Sequence, residues 1–313
     1  MKIKTAPKMA EINWSNILDW AKKTAKEDWK RYKSQTRRPI SANRLVSVLI
    51  PNLRRPIFII GSPRSGTTFL GTCLDSLPEI SYHFEPVATK AAARYIYEQR
   101  WGITKGKWFY RSVYAWLMRM HLDADLRFAE KTPRNCFLID FFIAAFPEAQ
   151  FIHIIRDGRD AALSLSKQPW LQAAQANSSQ LEPGGYPYGP YPRFWVEPER
   201  TEEFQQTTDI HRCIWAWRRH TETALQAFSN LNPEKYHELR YESLVNNPRE
   251  EADRLLNYLE ISNAQSRNLF QQAVSKARTD SIGNWSRELS EQQLQQIYLE
   301  AGELLQKLGY CYN

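Results

Sequence analysis

Pro56-Ile-Phe-Ile-Ile-Gly61-Ser-Pro-Arg-Ser-Gly-Thr-Thr68 decides the fold of this 313-residue chain. The stretch opens with a short apolar run that stops at Gly61, the pattern of a strand buried on both faces of a parallel sheet. After the turn, Phe69, Leu70, Cys73, Leu74 and Leu77 recur at helical spacing, so residues 67–77 read as a helix. The loop between strand and helix carries a glycine at each end, where a side chain would obstruct the turn. Successive backbone N–H groups in such a loop, together with the helix dipole, make a site for an anion.

The same alternation continues outward. Residues 126–129 read as a second strand and 135–146 as a helix rich in Phe and Ile. Phe151-Ile-His-Ile-Ile155 is another buried strand, followed by a helix over 160–167. Residues 236–241 form a further strand, and Asn247-Pro-Arg-Glu-Glu opens a helix that runs to 259. Strands alternating with helices predict an α/β fold, a parallel β-sheet flanked by helices on both faces, built as a single domain over 51–313. Within it, 168–208 departs from the pattern. Glu182-Pro-Gly-Gly-Tyr-Pro-Tyr-Gly-Pro-Tyr-Pro-Arg-Phe-Trp195 is too rich in Pro and Gly for a helix and too aromatic for ordinary disorder. It reads as a substrate lid or as a surface loop pinned by its own rings.

Ahead of the domain, residues 1–50 form a basic N-terminal helical arm. Residues 1–38 hold eleven Lys or Arg against four Asp or Glu, so +7 of the chain's +8 sits there. That leaves the rest of the chain nearly neutral, and no nucleic-acid partner is expected. From 12 to 32, Trp14, Ile17, Leu18, Ala21, Ala25, Trp29 and Tyr32 keep helical spacing. This is a helix docked on the domain or, as the second reading, one in peripheral contact with an anionic membrane. Cys73, Cys136, Cys213 and Cys311 lack metal-ligand spacing, and Cys73 and Cys136 read as buried free thiols. Together with the lack of an apolar run at the start, this makes a cytoplasmic location the expectation.

The phosphate loop departs from that of a nucleoside-triphosphate enzyme, in which Lys follows the second glycine. Here Thr67 follows Gly66, and the cation, Arg64, lies inside the loop. Pro63-Arg-Ser-Gly-Thr-Thr68 resembles the 5′-phosphosulfate loop of sulfotransferases that use 3′-phosphoadenosine 5′-phosphosulfate (PAPS), in the form typical of Golgi-type, tyrosylprotein and many bacterial members. The resemblance implies that Arg64, Ser65, Gly66, Thr67 and Thr68 bind the donor. Ile155-Arg-Asp-Gly-Arg-Asp-Ala-Ala-Leu-Ser164 resembles the 3′-phosphate motif, with Arg156 and Ser164 eight residues apart. An Arg at a strand's end and a Ser one or two turns into the next helix suit one shared phosphate. Leu239-Arg-Tyr-Glu-Ser-Leu-Val245 resembles a segment whose tyrosine reaches the nucleotide, which makes Tyr241 a candidate. Arg278-Thr-Asp-Ser-Ile-Gly-Asn-Trp285 resembles the family's C-terminal loop at Arg278, Gly283 and Trp285 but not at Thr279 and Asp280. Arg278 is carried over from it as a 3′-phosphate ligand, and Ser281 as a serine near the transfer site.

Sulfuryl transfer needs cations at the leaving phosphate, a base for the acceptor proton, and exclusion of water. The resemblance makes Glu85, in Tyr82-His-Phe-Glu-Pro-Val87, the base, with a raised pKa expected from a partly dry cleft; His83 is the rival. Lys131, in Glu130-Lys-Thr-Pro-Arg-Asn135, is a second electrophile on the sulfuryl oxygens or the partner of Glu130 or another carboxylate. No metal is expected, since the chain lacks an Asp/Glu/His cluster of metal-ligand spacing. PAPS is thus the expected donor, PAP (3′-phosphoadenosine 5′-phosphate) its product, and a small molecule, carbohydrate or lipid with a hydroxyl or amine the acceptor; peptide tyrosine stays open. Trp170, Trp195, Trp215 and Trp217 are candidates to stack on a sugar ring or to lie in the core. The alternatives are a small-molecule kinase without its usual Lys, and a catalytically degenerate anion-binding protein.

Overall fold

The structure, a computed structural model, describes residues 49–182 and 185–310, together with Asp19 and Lys26. The rest of the basic arm, with its predicted helix, and Cys311 lie outside the described residues. Five strands, β1 (Ile57–Ile60), β2 (Ile80–Phe84), β3 (Arg127–Lys131), β4 (Gln150–Ile155) and β5 (Tyr236–Arg240), form one sheet in the order β2-β3-β1-β4-β5. Every pairing is parallel. From β1 the chain moves to one side for β2 and β3, then crosses to the other for β4 and β5. Such a reversal opens a crevice beyond the C-terminal ends of the central strands.

Alternation along the strands divides the core into two halves. Ile57 and Ile59 of β1, with Ile152, Ile154 and Leu239, pack under α1 (Thr67–Asp75) and a group of later helices. Phe58, Ile60, Phe128 and Phe151 face the opposite side, where Phe58 and Phe142 rings lie 4.2 Å apart. On the Phe58 side pack α2 (Val87–Tyr97), α3 (Ile103–Met120), α4 (Ile139–Ala145), α5 (Gly158–Ser166), α6 (Thr201–Gln206) and α7 (Asp209–Ser229). After β5 follow α8 (Tyr241–Asn246), α9 (Pro248–Tyr258), α10 (Ala264–Val274), α11 (Trp285–Glu288) and α12 (Glu291–Lys307). Among the described residues no helix is long and apolar enough to cross a membrane.

The local differences from the sequence reading have physical causes. The helix predicted over 135–146 splits into a tight turn, Pro133–Leu138, and α4, because Pro133 sets the first turn and the backbone breaks at Leu138. Helix α5 begins earlier than predicted because the Asp157 carboxylate accepts the Arg159 N–H (2.9 Å) and caps it there. Residues 168–208 are held by their own side chains. Buried Arg193 donates to the Tyr191 and Trp170 carbonyls and to Glu182, and Tyr186, Tyr191 and Trp195 are buried. This segment forms a packed wall of the crevice.

Candidate active site

The loop after β1 positions its cation by backbone conformation. Arg64 adopts φ +71° and Gly66, the cap of α1, φ +93°. A Cβ on Gly66 would stand 2.5 Å from the Tyr241 ring, so a side chain there is excluded twice over. The first turn of α1 carries no acidic residue and no side-chain cap, which leaves its N–H groups aimed into the crevice. Arg64 Nε donates to Ser164 Oγ (3.0 Å), and Arg156 Nη1 donates to the Arg64 carbonyl (2.9 Å). Burial, and then the neighbouring Arg156 guanidinium, lower the Arg64 pKa. Two guanidinium groups this close make a site that favours an anion.

Tyr241 joins three segments at this end. Its ring lies against Gly66 and 4.8 Å below the Arg156 guanidinium, and its hydroxyl meets Ser281 Oγ at 2.8 Å. Arg156 also donates to the Ser281 carbonyl. The 278–285 loop is clamped by Asp160, whose carboxylate accepts the Gly283 N–H (2.7 Å) and the Trp285 N–H (3.0 Å). Arg278 lies at the mouth of the crevice, exposed and paired with Asp280 (2.5 Å). The expected donor residues Arg64, Gly66, Thr67, Thr68, Arg156, Ser164, Tyr241, Arg278 and Ser281 all border one cavity of about 800 Å³. Ser65 is fully buried beside them.

Glu85, Lys131 and Phe84 border the same cavity. Strand alternation explains the pairing of Lys131: Glu130 and Lys131 point to opposite faces of β3, so they do not pair. Lys131, 1% exposed, donates instead to Glu85 Oε1 (2.5 Å), and its ammonium lies 3.8 Å over the Phe84 ring. Lys90, on the first turns of α2, holds Glu85 Oε2. Burial alone would push the Glu85 carboxyl up. The Lys90 and Lys131 ammoniums outweigh it and hold it well below the ordinary carboxylate range, the reverse of the rise expected from the sequence. His83 points to the other side of the sheet, where it is buried, meets Ser81 Oγ (2.8 Å) and stacks on Phe128; it does not border the cavity. Burial, and then His121, keep its pKa well below that of a free imidazole.

A sequence model of the sulfotransferase family matches residues 56–266, more than half of the chain. The chain belongs to the sulfotransferase family. A Caenorhabditis briggsae relative, provisionally named a protein-tyrosine sulfotransferase, is 23% identical over 226 residues, 69% of each chain. A Mycobacterium avium sulfotransferase shares the fold with a TM-score of 0.52 at 16% identity, over 98% of this chain and 88% of that one. A mouse sulfotransferase solved with PAP aligns over 87% of this chain and 93% of its own, with a TM-score of 0.48 and 14% identity.

Apart from Trp170 and Trp195, the far end of this sulfotransferase's cavity is built from residues that the sequence reading did not single out. Lys90, Arg134, Gln168, Glu182, Tyr188, Arg193 and His220 supply polar groups there, and Trp170, Leu171 and Trp195 supply apolar ones. Glu182 pairs with Arg134 (2.9 Å) and Arg193 (2.7 Å). Burial would raise its pKa, but Arg193, Arg134 and Lys90 together lower it. His220 is held by the Ala216 carbonyl at Nδ1 (2.7 Å), and burial lowers its pKa to about 3. Of the four tryptophans considered for stacking, Trp215 and Trp217 are wholly core, and Trp217 donates to the Arg156 carbonyl (3.0 Å). Elsewhere, Glu203, His211 and Glu300 cluster away from the cavity, but Glu300 is already occupied by Arg200 and Arg218, which makes this an ion-pair network.

Proposed function

We propose that this sulfotransferase transfers the sulfuryl group of PAPS to an acceptor hydroxyl or amine by in-line displacement, with Glu85 as the general base. The observation that carries the reading is one cavity with a glycine-bounded loop and two guanidinium groups, Arg64 and Arg156, at one end and a lysine-held carboxylate bordering it. The donor fits the polar groups present. Ser65 Oγ and Arg156 Nε are buried with no hydrogen-bond partner, and the amides of α1's first turn are free of acidic caps. In this reading Arg64, Ser65, Gly66, Thr67 and Thr68 hold the 5′-phosphosulfate, while Arg156 and Ser164, with Arg278, hold the 3′-phosphate. Tyr241 and Ser281 set the floor of the nucleotide site. No step in this reading calls for a metal.

Lys131 has two parts in the reaction. Turned toward the donor, it offers its charge to the sulfuryl oxygens or the leaving phosphate. In doing so it takes one cation away from Glu85, so the carboxylate becomes more basic as the donor seats. The acceptor lies among Trp170, Trp195, Tyr188 and Gln168, an environment for a small molecule, carbohydrate or lipid with an apolar body and one polar end.

The test begins with an acceptor screen using labelled PAPS and a mass readout, followed by Glu85→Gln with the acceptor found. Turnover falls by about 10² to 10⁴, the usual span for loss of a general base, while the PAP Kd stays within about twofold. A Glu85→Gln protein that retains most of its turnover removes Glu85 from this role. A small-molecule kinase is the enzyme alternative, and Thr67 in the place of the usual Lys speaks against it. Tight ATP binding with no PAP binding would reverse that preference.

A further inference from the structure

Glu85 is anchored more elaborately than a carboxylate at the end of a strand requires. It is a non-glycine residue at φ +40°, a conformation that persists only where the surroundings over-determine it. Its N–H donates to the Lys131 carbonyl (3.0 Å), and each carboxylate oxygen has its own lysine, Lys131 on Oε1 and Lys90 on Oε2. The two lysines differ in setting. Lys131 projects from the C-terminal end of β3, next to β1 and its anion loop. Lys90 projects from α2, and its own carbonyl is tied to Arg134 Nη1 (3.2 Å).

We propose that Lys90 is a positioning residue for Glu85: it holds the carboxylate in place and aimed into the cavity while Lys131 is drawn to the donor. This rests on Glu85 being the base. It assigns Lys90 a task that Lys131 cannot perform, because a lysine engaged with the donor no longer fixes Glu85. Without Lys90, the buried carboxylate would face the acceptor with no anchor, and it would take up a proton or turn aside. The charged groups around Glu85 are Lys90 from α2 and Lys131 from β3. Glu130, on the far face of β3, feels the Glu85 charge, and Glu182 of the 168–208 wall feels Lys90.

The experiment removes Lys131 by mutation instead of by donor, so it needs no acceptor. The full-length protein is labelled with [5-¹³C]glutamate, and the Glu85 signal is identified by its loss in Glu85→Gln. It is then titrated in Lys131→Met and in Lys90→Met/Lys131→Met. In Lys131→Met, Glu85 stays ionised through pH 5. In the double variant its midpoint rises by about two pH units or more, since burial is no longer opposed. Lys90→Arg/Lys131→Met returns it to the lower value. Should the methionine double variant not fold, Lys90→Gln/Lys131→Met takes its place. Identical Glu85 titrations with and without Lys90, whatever the stability change, overturn the proposal. The base assignment fails separately, by turnover retained in Glu85→Gln.

Discussion

Glu130→Gln removes a carboxyl that lies inside the sheet, with none of its surface exposed. Its oxygens accept from Tyr114 Oη, Thr132 Oγ1 (2.6 Å) and Asn135 Nδ2 (3.4 Å). Burial raises the pKa from 4.5 to about 7, the hydrogen bonds from Thr132, Tyr114 and Asn135 oppose the rise, and the Glu85 charge adds to it. A raised folded-state pKa means that the native protein binds this proton more tightly than the unfolded chain. The stabilisation is complete below pH 4.5, shrinks as pH rises, and is gone once pH passes about 7. At about 1.36 kcal/mol per pH unit, the difference amounts to about 3 kcal/mol. Glutamine has no such proton, so Glu130→Gln gains about 3 kcal/mol on the native protein between pH 4.5 and pH 8.5. Urea unfolding of both proteins at half-unit steps, followed by tryptophan fluorescence, measures the gap, and titrations common to both cancel. A constant gap across the window would show that Glu130 is ionised in the native protein throughout it, and would refute the reasoning.

Arg156→Ala should weaken PAP binding far more than binding of adenosine 5′-phosphosulfate, because only PAP carries the 3′-phosphate. Calorimetric Kd values that rise equally for the two ligands would remove Arg156 from that role. Gly66→Ala puts a methyl 2.5 Å from the Tyr241 ring at φ +93°, a strain of about 1–2 kcal/mol before the ring moves. PAP affinity should fall by more than about tenfold; an unchanged Kd would mean that the loop backbone does not form the anion site.

How much of this was legible in the sequence differs from residue to residue. β1, its loop and α1 could be read because a strand buried on both faces has no polar interruptions and a tight anion loop demands its glycines. The edge strand β2 escaped because Ser81 and His83 break the apolar run. Both find a partner inside, Ser81 donating to Asp123 (2.9 Å) and meeting His83 Nε2, which a sequence does not display. Among the expected site residues, those that gather at the Arg64 end of the cavity could be picked out because each lies in a local motif. The state of Glu85 could not. Its pKa depends on Lys90, five residues on, and Lys131, forty-six residues on, and only the fold brings both to one carboxylate. The rise expected from burial was real but was outweighed. Trp215 and Trp217 looked available for a ligand, yet α7 is packed on several sides and takes both into the core. The far wall, with Glu182 and Arg193, lies in a segment with no periodicity to read.

Tyr241 belongs to no loop that would touch the donor directly through its backbone, yet it leans on Gly66, supports Arg156 and bonds Ser281. Three stretches separated by scores of residues therefore share a single keystone. Change in one is transmitted to the other two through the ring, and substitutions that share a contact in this way do not add. For descent this means that this end of the cavity drifts as a unit: the loops cannot be exchanged piecemeal with those of a relative unless the tyrosine's seat travels with them. For engineering it means that the wall at 168–208, which has no part in this junction, can be altered without disturbing the contacts of Tyr241.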